Sequence, residues 1–79
     1  MRTGRYYMHK NALDVCLLVD KAFRIDHSRY NVKGSFWNLG FMGTPWCVDM
    51  ARRYDIKDAK EWVDITETIN TPRRPGTLL

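Results

Sequence analysis

Val15-Cys16-Leu17-Leu18-Val19-Asp20-Lys21-Ala22-Phe23-Arg24-Ile25 is the stretch on which the fold turns. Val15, Leu17, Val19, Phe23 and Ile25 share one parity, broken by Lys21, while Asp20, Arg24 and Asp26 share the other. Successive side chains of a strand point to opposite faces, so this period of two predicts a strand with one face buried. Cys16 and Leu18 fall on the polar parity, and they predict a second covered face near the strand's start.

Asp26-His27-Ser28-Arg29 reads as a hairpin loop after this strand. Tyr30 to Phe41 then carries Tyr30, Val32 and Phe36 on one parity and Trp37, Leu39 and Phe41 on the other. The switch after Phe36 predicts a bulge or bend near Gly34 or Asn38, the kind of corner a barrel needs. Gly40-Phe41-Met42-Gly43-Thr44-Pro45 is rich in chain breakers and reads as a loop. Beyond it Trp46, Val48 and Met50 alternate with Cys47, Asp49 and Ala51. Residues 51–56 continue as strand or turn helical. A helix over Val48 to Trp62 suits the charge spacing of Asp49, Arg53 and Lys57, whereas Val48, Met50, Tyr54 and Ile56 fit period two better.

Working outward, Gly4 to Lys10 is a first strand, with Tyr6 and Met8 on one side and Tyr7 and His9 on the other. Asn11-Ala12-Leu13-Asp14 is a turn, because Asn and Asp side chains bond their own backbone in turns. Asp58 is placed to cap a helical turn reaching Glu61 and Trp62, and Val63 to Thr66 makes a short last strand. From Glu67 the alternation stops, and Pro72 and Pro75 favour an extended tail.

The 79 residues provide one domain. We read residues 1–66 as that domain and 67–79 as its tail. No apolar run approaches the length that spans a bilayer as a helix, and no apolar stretch follows the basic start Met1-Arg2-Thr3-Gly4-Arg5 as in a signal peptide. Two cysteines, Cys16 and Cys47, are too few for a secreted disulfide scaffold and read as free thiols, with one disulfide as the alternative. A cytoplasmic setting is therefore expected. The net charge is +4, yet residues 6–66 hold nine basic against eight acidic residues. The positive excess sits on the ends, unlike a basic domain whose folded face tracks a phosphate backbone.

Four strands, a one-turn helix ending in Trp62 and a short final strand resemble the SH3-like small barrels over residues 4 to 66. The expected fold is all-β, a small SH3-like barrel of about five strands with one short helical turn before the last. The ALYDY-type motif of signalling SH3 domains is absent, as is the tryptophan and proline placement of their polyproline groove, so no peptide-binding residues carry over. In texture the chain also looks like the small accessory proteins of tailed bacteriophages. That resemblance implies a cytoplasmic or virion location and a host or virion protein as partner.

His9, His27, Cys16 and Cys47 lack the close spacing of a zinc site, and both cysteines fall inside apolar stretches where a thiol packs as a small hydrophobe. A dyad of Cys47 with His9 or His27, oriented by Asp49, has no local support. No phosphate-binding glycine motif is present, and no cofactor is expected. The aromatics exceed what one small barrel can bury. Trp37, Phe41, Met42 and Trp46 are therefore candidates for a partner-binding patch, with Arg73 and Arg74 on a strapping tail. The expected function is a non-enzymatic module that binds another protein chain, a further copy of itself included. The alternative is nucleic-acid binding through Lys33, Arg52 and Arg53 beside Trp37 and Trp46.

Overall fold

The computed structural model describes residues 1–39 and 45–69. Five strands run in the order expected: β1 (Tyr6–His9), β2 (Val15–Arg24), β3 (Tyr30–Leu39), β4 (Pro45–Ile56) and β5 (Trp62–Asp64). All neighbours are antiparallel, and the sheet order is β4-β3-β2-β1-β5. The chain is all-β, with two short 3-10 turns at Ala59–Glu61 and Thr66–Thr68 as its helical segments among the described residues. The helix weighed over Val48 to Trp62 is absent: residues up to Ile56 are strand. Their Tyr54 and Ile56 side chains pack inward, which a helical phase would not deliver. Among the described residues the ladder does not close, and β4 and β5 are its two edges.

The turns form for the reasons their residues suggest. Asp26 Oδ1 accepts from the backbone amides of Ser28 and Arg29, both at 3.0 Å, and Arg29 Nε donates to Asp26 Oδ2 at 2.7 Å. The Ser28 amide first, then the Arg29 side chain, hold the Asp26 carboxyl well below the usual carboxylate range. Asp58 caps the first 3-10 turn by accepting from the Lys60 amide at 3.0 Å. Glu61 does not complete a capping box, and instead reaches Lys10 at 3.1 Å.

Both faces of the sheet are covered over its β1–β2 half. On one face Tyr7, Leu17, Val19, Val32 and Ile56 form the inner cluster, with Phe36, Tyr54 and Trp62 packed against it. On the other face Tyr6, Cys16, Leu18, Ile65 and Ile69 form an outer cluster, joined by Met8 and Trp37. The covered second face predicted from Cys16 and Leu18 is this outer cluster. The inner cluster also bends the sheet. Phe36 on β3 and Trp62 on β5 are three strands apart, about 14 Å in a flat sheet, yet their rings lie 6.5 Å apart. The packed body continues to Ile69, past Thr66. Tyr6 N–H donates to the buried Thr66 Oγ1 at 2.8 Å, Ile65 N–H donates to the Tyr6 carbonyl at 2.8 Å, and Arg5 pairs with Asp64 and Glu67 at 2.8 Å each.

Register breaks explain where the alternation misleads. The β2–β3 ladder shifts between Val19 and Lys21, so Asp20 is an extra residue on β2. Ahead of it Leu17 and Val19 face the inner cluster; behind it Ala22 does, opposite Val32. Phe23 and Ile25, expected on the buried parity of Val19, are exposed instead. On β3 the parity is continuous, and the switch after Phe36 reflects two clusters rather than a corner: Phe36 packs inward and Trp37 outward. The register shifts opposite this region add residues to β4, between Cys47 and Asp49 and between Asp49 and Arg52.

Candidate functional site

The sheet offers two uncovered surfaces, one on the first half of β4 and one on the outer face beyond the Asp20 bulge. On β4, Trp46 is 54% exposed, Val48 51% and Met50 76%, a run of large apolar side chains on a strand whose outward edge pairs with no other strand among the described residues. Asp49, in their midst, accepts from the Tyr54 hydroxyl at 3.2 Å and pairs with Arg52 at 2.9 Å.

Of the expected aromatic patch, the two described residues, Trp37 and Trp46, do not share a face. Trp37 pairs with Cys47, and Trp46 with Asn38, so Trp37 and Trp46 project from opposite faces. Trp37 belongs to the outer cluster: its ring meets Tyr6 edge-on at 6.4 Å, and its Nε1–H donates to Ser35 Oγ at 2.9 Å. Phe41, Met42, Arg73 and Arg74 lie outside the described residues.

The alternative set divides too. Arg52 turns toward Asp49, whereas Lys33 and Arg53 stand directly opposite each other on β3 and β4. Lys21 on β2 stands opposite Lys33 on its other side. Three cations thus form one row across three strands, and Phe23 lies in the next row with Arg53 5.9 Å from its ring centroid. Sequence inspection does not find this row, because Lys21 enters it by way of the bulge.

His9, His27, Cys16 and Cys47 are dispersed over the described fold. Cys47 on β4 and His9 on β1 are separated in the sheet by β3 and β2, and His27 sits in the loop at the far end of β3. His9 instead stacks edge-on with Trp62 at 5.1 Å, while its Nδ1 accepts from the Asn11 amide at 3.1 Å. Among the described residues no group of three His, Cys, Asp or Glu converges on a point. A shallow depression of ~220 Å³ is lined by Thr3, Gly4, Leu18, Val19 and Asp20, and presents a single carboxylate without an acid–base partner. Among the described residues no helix is long and apolar enough to cross a membrane.

Cys16 and Cys47 are free, and both register with Trp37 from opposite sides. Two strand spacings, about 10 Å, separate their backbones, beyond the ~7 Å reach of a disulfide. Burial pushes the Cys16 thiol up to about 11. Cys47, expected to pack as a small hydrophobe, is exposed, and its thiol donates to the Asp49 carbonyl at 3.4 Å. It lies on β4, an edge strand of the sheet, and joins neither buried cluster. Cys47→Ala should therefore change stability by less than about 0.5 kcal/mol, and Cys16→Ala should cost about 1–2 kcal/mol. Urea melts measure both, and a thiol reagent should titrate one cysteine in the native protein and two in denaturant.

Comparison with family models, with curated proteins and with solved structures finds no match for this chain.

Proposed function

We propose that this chain is a small SH3-like barrel acting as a non-enzymatic module that binds another protein, and that β4 is where the partner docks. The curl that brings Phe36 of β3 to Trp62 of β5 supports the barrel reading, as do the meander order and the 3-10 turn before β5. The observation that carries the binding reading is the exposed run Trp46, Val48 and Met50 on an edge strand of twelve residues. An unpaired edge offers backbone donors and acceptors to an extended segment of a partner, and the apolar side chains give that segment something to bury. The opposite edge, β5, has three residues and offers little length for such pairing. An accessory role in a tailed bacteriophage, with a host or virion protein as that partner, fits this mode of action, and so does a cytoplasmic setting. The tail residues Arg73 and Arg74 would add a strap.

The test is capture from nuclease-treated lysate with the intact chain and with Trp46→Ala and Met50→Lys. A stoichiometric protein partner should be retained by the intact chain and lose roughly 30-fold or more in affinity with Trp46→Ala, the scale of an interface hot spot. Hydrogen exchange of the β4 amides should slow in the complex. A partner that ignores both substitutions, or binds without protecting β4, overturns the docking site.

A further inference from the structure

Lys21, Lys33 and Arg53 occupy one cross-strand row on three adjacent strands. Neighbouring strands lie about 4.8 Å apart, so three positive charges fall within about 10 Å. Like charges placed directly opposite destabilise a sheet. Among the described residues none of the three is ion-paired with a carboxylate. The nearest acidic neighbour in the ladder, Asp55, is engaged by Asn31 Nδ2 at 2.8 Å, and Arg53 Nη1 donates to Asn31 Oδ1 at 3.3 Å. Residues 40–44 and 70–79 contain no Asp or Glu, so no carboxylate side chain of theirs can complete the row.

The bulge sharpens the point. Continuing the Val19–Gly34 register by one residue would set Asp20 opposite Lys33, a favourable pair. The extra residue removes Asp20 from the ladder and puts Lys21 there instead. Asp20 lines the depression beside Thr3 and Gly4. A local irregularity thus trades an attractive pair for a repulsive one, and re-aiming a side chain in this way is a recognised use of bulges at binding sites. The row is followed by Phe23, 51% exposed, with the Arg53 guanidinium 5.9 Å from its ring centroid.

We propose that this open face of β2, β3 and β4 binds a single-stranded nucleic acid, whose phosphates run along the Lys21–Lys33–Arg53 row while a base stacks on Phe23. Charge complementarity selects a polyanion, and the adjacent exposed ring selects one with stackable bases over an acidic peptide. The row follows the hydrogen-bonding direction, so the bound strand crosses the β-strands. The site is sequence-tolerant, because a ring face accepts any base and no cation in the row is placed to read base edges. It is separate from the Trp46 end of the β4 docking run: Trp46 projects from the opposite face, and the Trp46→Ala variant leaves the row intact.

The experiment is fluorescence anisotropy of a labelled short oligo-dT titrated with the full chain across a salt series. Binding should weaken with salt with a log–log slope of about −2, from about −0.7 per phosphate for three contacts. Lys21→Ala, Lys33→Ala and Arg53→Ala should each weaken binding and flatten the slope by about 0.7. Phe23→Ala should lose roughly tenfold in affinity with the slope kept, as a stacking contact does. Lys10→Ala, whose cation faces Glu61, should bind as the intact chain does. Lys33→Ala should also melt no lower than the intact chain at low salt, since it relieves repulsion, so lost binding cannot be ascribed to unfolding. The proposal is overturned by no salt-dependent binding of oligo-dT, by row variants that bind like the intact chain, or by displacement of the oligonucleotide by poly-glutamate as readily as by unlabelled oligo-dT. Equal affinity for a DNA duplex of the same length also overturns it, because stacked bases cannot lie on Phe23.

Discussion

Gly34→Ala is expected to cost about 3 kcal/mol or more and to leave little folded protein at 37 °C. A Cβ built on Gly34 would run into the carbonyl oxygen of Leu18 on the neighbouring strand, and would sit 3.0 Å from Leu17 Cδ1. Overpacking a core by a methyl group typically costs about 1–3 kcal/mol when side chains can shift. Here the first obstacle is backbone in the centre of the sheet, held by the β2–β3 ladder just before the bulge. Moving it disturbs Leu17, Leu18 and Val19, all buried, and therefore both clusters at once. A domain of this length has a total stability of about 4–12 kcal/mol. Urea denaturation followed by tryptophan emission reads the loss. A midpoint equal to that of the intact chain would mean that the strands separate freely at this point, and that the glycine is not what sets their approach.

The same stretch of β2 shows why the sequence yields the fold more readily than the site. Val15 to Val19 alternates correctly, and its two parities report the two clusters, because local backbone geometry alone decides which side chains share a face. The Asp26 loop and the Asp58 cap were legible for a similar reason: a side-chain oxygen two or three residues from an amide needs no distant partner. What the sequence withholds depends on pairing. One extra residue at Asp20 reverses the parity, exposing Phe23 and seating Lys21 opposite Lys33; Lys21 breaking the apolar parity is its trace in the sequence, but a break of that kind does not say that a residue is extra or which one. Two more extra residues in β4 have a similar effect. Trp46, Val48 and Met50 alternate in sequence with Cys47, Asp49 and Ala51, yet the register shifts around Asp49 interrupt that alternation, and all three apolar side chains are exposed. The net charge misled likewise: a near-neutral body can still present a cationic row once register sorts Lys33 and Arg53 from Arg52.

Ending the chain after Thr66 should cost about 3–5 kcal/mol, whereas ending it after Ile69 should leave the melting transition nearly where it was. Period two fades at Glu67, so the segment beyond it reads as a dispensable tail. Ile69 nevertheless closes the outer cluster at 6% exposure, against Tyr6, Cys16 and Leu18. Removing a buried Ile side chain costs about 2–5 kcal/mol with the cavity included, and truncation also takes away the 3-10 turn that carries it. The Arg5–Glu67 pair lost with it adds little, since Glu67 is largely exposed. Thr66 survives in the shorter chain, so the hydrogen bond from the Tyr6 amide to its hydroxyl is kept, and the difference between the two truncations reports the cover over the outer cluster. Ile69→Ala in the full chain separates packing from chain length and should reproduce most of the loss. Trp37 is partly buried against the outer cluster, so its emission should shift to the red in the 1–66 chain before global unfolding begins. If the two truncations melt together, Ile69 does not hold this face closed, and the cover over the outer cluster comes from Ile65 and the strands alone.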